Sequence, residues 1–242
     1  MIIDALYSHY RVLVGKPDSD ISKEGFAKVS VTFAFNLSPN GDLLDVIPLA
    51  DKKGKRWIPV ELEVPEPPKR SGTGVTPAFL CDNSMYITGN DTKGKPERSR
   101  MAFEASRELH LKVLGTLEDL GAQAVRRYFE RWNPSTASNH PALRPYWDDL
   151  IAGGNIVFRL DKHPGYVHDR PPVKEAWLKY RAESASEVVG QCLVTGEEAP
   201  IARIHPSIKG VRGAQTSGAA LVSFNLDAFT SYGKLQNFNA PI

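Results

Sequence analysis

Residues 28–37, KVSVTFAFNL, alternate in the period-two manner of a β-strand, and the turn-forming SPNG at 38–41 leads into a second apolar run at 42–47. Two such runs joined by so short a turn can pair only antiparallel. Residues 56–64, RWIPVELEV, read as a third strand, and Pro59 within it signals an edge position or a bulge because it has no N–H to donate. An antiparallel sheet therefore starts near the N-terminus, and its apolar face needs cover.

Helices supply the cover. Ile2, Ile3, Leu6, Tyr7, Tyr10 and Leu13 recur at spacings of three and four, so the spacing predicts an opening helix with that face in the core. Two further helices are expected over 96–117 and 118–132, a short one over 142–152 ending at Gly153 and Gly154, and another over 171–181 with Val173, Trp177 and Tyr180 on one side. Arg98, Arg100, Arg107, Arg126, Arg127 and Arg131 lie among Glu97, Glu104, Glu108 and Glu130, a pattern of ion pairs on a solvated face. Residues 79–88 read as an Asx-type turn entering a strand, with Cys81 as a small buried hydrophobe and Asn83 either capping the turn or reading a base edge. Further strands are expected at 155–160, 191–194, 200–204 and 219–224, and a short helix at 225–233. The fold class is α+β: an antiparallel sheet with surrounding helices and projecting basic, glycine-containing loops. The run at 133–140 is the candidate internal boundary.

A chain of 242 residues makes one large domain or two small ones. Its formal charge of +2 leaves affinity for a polyanion to local patches. Cys81 and Cys192 stand far apart with no CxxC, which argues against a disulfide framework or a cysteine zinc site and suits a reducing cytoplasm. Asp4 and His9 interrupt the opening apolar stretch, so it is not a signal peptide, and no run approaches a membrane span.

Two loops carry the chemistry. In PEPPKRSGTGVTP (65–77), prolines stiffen both ends while Gly72 and Gly74 free the tip, with Thr73 between them and Lys69 and Arg70 beside it. Such a loop suits a DNA groove, where small side chains approach base edges and cations meet phosphates. In KGVRGAQTSG (209–218), glycines let the backbone approach another molecule closely, and Lys209, Arg212 and Gln215 favour an anionic one. Ordinary connecting turns share both compositions. Lys52, Lys53, Lys55 and Arg56 form a third basic turn, either a solvated hairpin tip or a phosphate-following patch.

Reaction centres are harder to find. GNDTKGK at 89–95 has phosphate-loop spacing up to its lysine, but Pro96 stands where a magnesium-binding hydroxyl is required, so a glycine-containing turn suffices. His163, His168 and Asp169 lack the further ligands of a recognisable metal set. No nucleophile elbow or zinc-protease motif is present. No catalytic residue, cofactor or metal is expected; a metal-dependent hydrolase centred on these histidines and a pure interaction module remain the competing classes.

The run CLVTGEEAPIARIHPSIKGVRGAQTSGAALVSFN (192–225), followed by SYGKLQNFNAPI, resembles a segment typical of the large subunit of the type I-C CRISPR Cascade complex. MIIDALYSHY at the start, FLCDNSMYITG at 79–89 and YVHDRPPVKEAW at 166–177 agree in order, so the resemblance spans essentially the whole chain. It implies a non-catalytic, cytoplasmic component that recognises the protospacer-adjacent motif in double-stranded target DNA, aids R-loop formation and helps recruit a helicase-nuclease. Guide RNA and the other Cascade subunits would be its partners, and pairing with the guide would supply most of the sequence discrimination. Residues 1–242 correspond to the N-terminal portion of that family, whose proteins continue into a largely helical region, so a truncated chain is expected. Whether a viral anti-CRISPR inhibitor binds is left open.

Overall fold

The computed structural model describes residues 2–16, 21–54, 56–70, 74–184, 189–192, 194–201, 207–208, 210–216, 218–220 and 222. Along the chain run α1 (Ile2–Val14), β1 (Phe26–Leu37), β2 (Leu43–Pro48), β3 (Asp51–Lys53), β4 (Arg56–Ile58), β5 (Val60–Pro65), β6 (Cys81–Asn83) and α2 (Ser84–Ile87). There follow α3 (Pro96–Leu114), α4 (Leu120–Arg131), α5 (Trp147–Ala152), β7 (Asn155–Leu160), α6 (Pro171–Glu183), β8 (Val189–Gln191), β9 (Glu198–Pro200), β10 (Ser207–Ile208) and β11 (Ala219–Ala220). The chain clusters into two compact units, one of residues 22–180 and one of residues 1–21 with 181–242. Residues 133–140 lie inside the first unit, where Pro134–Asn139 form a 3-10 helix with Ala137 buried.

The first unit is built on a five-stranded sheet in which β2, β1, β7 and β6 are neighbours in that order and β5 also pairs with β1. The α+β class holds, with one departure from an all-antiparallel sheet: β1 and β7 run parallel, Phe35 opposite Phe158. Between β1 and β7 lie β2 to β6 and α2 to α5, a connection long enough to bring the chain back in the direction of β1, which a hairpin cannot do. Pro59 divides the expected third strand into β4 and β5, as a residue without an N–H should. Residues 84–88 are not strand: the Asn83 side chain accepts the Met85 N–H at 3.1 Å and caps α2.

Phe33, Phe35, Leu37 and Phe158 point from the sheet into one core with Phe103, Tyr128 and Phe129 of α3 and α4. Phe158 lies 6.2 Å from Phe35 and 5.9 Å from Phe129, centroid to centroid, both edge-on. Burying each phenyl ring contributes about 1.5–3 kcal/mol, which is what commits α3 and α4 to this face. Val31, Ala34, Val64, Cys81 and Val157 form a smaller cluster.

Two arginines assigned to a solvated face also fasten α4 to the β1–β2 turn. Arg127 donates to the Pro39 carbonyl and Arg131 to that of Asn40 at 2.9 Å, while Arg131 also pairs with Asp42 at 3.1 Å. Lys52 of the basic turn meets Asp149 at 2.8 Å and covers the Trp57 ring.

In the second unit, β8 pairs with β9 and β10 with β11, both antiparallel. No residue of α1 is buried, and Ile2, Leu6, Tyr7 and Val12 are exposed, so the face assigned to the core from its spacing is not part of one here. An apolar stripe states what a helix favours, not what covers it. The expected helix at 225–233 lies outside the described residues, as do most of the strand positions expected at 200–204 and 219–224.

Candidate nucleic-acid interface

The proline-rich loop between β5 and β6 has no strand partner, so its backbone groups must find side chains. Glu66 N–H donates to the Gly25 carbonyl at 3.0 Å, closing the entry. Arg70 then turns back across the loop: Nε donates to the Thr76 carbonyl at 2.8 Å, Nη2 to the Asp82 carboxylate, and the guanidinium stacks 4.1 Å from the Tyr86 ring centroid. The Tyr86 hydroxyl accepts the Thr76 N–H at 3.3 Å.

Asp82 is 1% exposed and also accepts the N–H groups of Ala78 and Asn83, each at 2.8 Å. Burial raises its pKa, and Arg70 with the two N–H groups pulls it back only in part. Desolvation of the carboxylate thus outweighs the attraction of Arg70, whose side chain stays 36% exposed.

Leu80 takes φ +57°, a left-handed conformation that costs a branched side chain energy. Its N–H donates to Nε2 of His110 at 2.9 Å, while Nδ1–H of that histidine donates to the Ser106 carbonyl at 2.6 Å. The bonds define the tautomer. The ring is buried, stacked on Phe129 at 4.2 Å, and burial lowers its pKa to about 4. A neutral imidazole therefore fastens the loop's exit.

Of the loop residues singled out from sequence, Lys69 and Arg70 are both exposed, and Arg70 also makes the contacts just described. Gly72 and Thr73 lie outside the described residues. Gly74 is exposed, with open space where a Cβ would stand, and its carbonyl accepts from Arg98 at 3.4 Å. The second loop spans the β10–β11 hairpin: Arg212 and Gln215 are exposed in its turns, the Gly218 N–H donates to the Gln215 carbonyl at 3.0 Å, and Lys209 lies outside the described residues. The two loops belong to different compact units.

Sequence reasoning missed the company the first loop keeps. Arg98 ties its tip to the N-terminal turn of α3, which places the preceding Lys93 and Lys95, both exposed, on the segment leading to it. The signal was present as the phosphate-loop-like GNDTKGK, which reads as a basic turn once it is judged by its neighbours. Gly89 there has φ +80°, and a Cβ would stand 2.6 Å from Pro134, so the glycine serves packing. Elsewhere, burial with help from Asp82 pushes the Cys81 thiol far above its ordinary pKa, which keeps it protonated and unreactive. Among the described residues no group of three or more histidine, cysteine or carboxylate side chains gathers as a metal set. No helix among them is long and apolar enough to cross a membrane.

Fold and loop define a class: a mixed α+β protein that presents a braced, basic, glycine-containing loop. A family model described as CRISPR-associated protein (Cas_Csd1) matches residues 6–242, and the chain belongs to that family. Its role is that of a large subunit of the type I-C CRISPR Cascade complex, within which it assembles with other subunits. No curated protein matches the chain.

Proposed function

We propose that this chain is the non-catalytic, cytoplasmic, DNA-reading part of the Cascade large subunit. The loop at 65–77 enters the duplex beside the target and recognises the protospacer-adjacent motif, helping the strands to separate so that guide RNA can pair. Recruitment of the helicase-nuclease follows from the same assembly. The observation that carries this reading is the brace: Arg70, Tyr86, Asp82 and His110 spend polar groups on fixing the described flanks of the loop, residues 65–70 and 74–80. A connecting loop needs no such expense, whereas reading a base edge requires side chains held in register.

Division of labour follows from position. Exposed Lys69 meets phosphate, the 72–74 tip approaches the groove, and Arg70 orients the tip from behind; Arg212 and Gln215, with Lys209, supply a second contact on DNA. In reconstituted Cascade, Lys69→Ala is expected to weaken all duplexes alike and lower the salt slope by about 1. Arg70→Ala is expected instead to flatten the preference among permuted motifs. If the Lys69→Ala/Arg70→Ala and Lys209→Ala/Arg212→Ala double variants both keep wild-type affinity, motif preference and salt slope, these loops do not touch DNA.

A further inference from the structure

A cavity of about 390 Å³ opens at the end of the sheet, between the middle of β1, the start of β7, the β6–α2 junction and the turn at 91–93. Its lining is unusual for its hydroxyls. Thr32 is 6% and Ser84 2% exposed, and both line the cavity. Hydroxyls that line a cavity offer a ligand both a donor and an acceptor.

Two carboxamides add direction. Asn155 Nδ2 is committed to the Ser30 carbonyl at 2.9 Å, which leaves Oδ1 as an acceptor; Asn83 Oδ1 is committed to the Met85 N–H at 3.1 Å, which leaves Nδ2 as a donor. One fixed donor and one fixed acceptor beside two hydroxyls match the edge of a nucleobase, and Met85 with Pro59 supplies apolar surface for its face. At the mouth stand Lys93, which has no ion pair among the described residues, and Asp91, whose carboxylate accepts the Lys93 backbone N–H at 3.0 Å. From Lys93 the chain runs directly to Arg98, which holds the Gly74 carbonyl at the loop tip. The volume lies within the range of sites that hold one small ligand, roughly 300–1,000 Å³.

We propose that this cavity receives a single nucleotide, base inward and phosphate on Lys93, contributed by a DNA strand unpaired next to the loop. The inference rests on the DNA-reading role above. Once the loop has opened the first base pair, an unstacked base needs a polar shelter, and one lies at the end of the Lys93–Arg98 path.

The test uses duplexes carrying 2-aminopurine at successive positions beside the motif, together with amide-shift titrations of the wild-type chain by a single-stranded trinucleotide and by a free mononucleotide. One position is expected to brighten on binding, and Thr32→Val or Lys93→Ala is expected to lower that site's occupancy about fivefold to tenfold. The Thr32 and Ser84 amides are expected to shift with the trinucleotide more than with the mononucleotide, marking the strand as the source. A bound duplex in which no position brightens, or brightening that neither variant alters, overturns the proposal, as does a stronger response to the free mononucleotide. Should the wild-type chain and its complex bind no duplex, the loop reading fails by itself, and the trinucleotide titration decides the cavity: shifts at Thr32 and Ser84 sustain it, and their absence ends it.

Discussion

At the scale of single residues, burial makes the histidines the clearest reporters. His110 and His168 both have pKa values lowered by burial from 6.5 to about 4; for His168 the neighbouring Asp169 works against that lowering and Lys174 adds to it. The unfolded chain therefore binds protons that the folded chain refuses. Stability conferred by neutral imidazole is complete above pH 6.5 and is lost as pH falls towards about 4, by about 1.4 kcal/mol per pH unit for each histidine. Asp82, whose pKa is raised, acts in the opposite sense and blunts the fall. Urea unfolding at stepped pH should show the decline, and His110→Leu should reduce its slope while lowering stability at pH 7, because the Leu80 N–H loses its acceptor. A flat profile between pH 6.5 and 4.5 would place both imidazoles in contact with water. Arg70 belongs to this scale too: its guanidinium pairs with Asp82, twelve residues on, while its side chain stays 36% exposed.

At the scale of elements, the structure turns on how α4 meets the β1–β2 turn. Gly41 has φ +85°, and a Cβ there would lie 2.6 Å from Arg127 Cβ and from the Tyr128 backbone nitrogen. Gly41→Ala thus meets both backbone strain and a rigid neighbour, and is expected to cost at least about 2 kcal/mol, read as a shift of the urea midpoint with unchanged slope. The SPNG run announced this turn, since proline, asparagine and glycine each have a local reason to be in one. It did not announce the helix lying against it. Arg127 and Arg131 look on paper like any solvated arginines beside glutamates, because helix periodicity records which residues share a face and says nothing of an acceptor eighty or more positions away.

At the scale of the molecule, the buried aromatic and aliphatic clusters found among the described residues fall within residues 22–180. That segment, produced alone, is expected to fold with native near-ultraviolet dichroism and one cooperative transition, while retaining the 65–77 loop. A broad transition or lost dichroism would mean that residues outside it complete the core. What the sequence determined without help was local: strand alternation in β1, the glycine turn, Pro59 as an interruption, the starts of α3 and α6 at their prolines, and the family written across the whole chain. Only the tertiary structure decided the parallel pairing of β1 with β7, the tie between Arg70 and Asp82, and the polar cavity beside Lys93. The reason is range: turns and periodicities depend on neighbours a few bonds away, whereas an ion pair, a strand order or a cavity depends on which distant segments the core draws together.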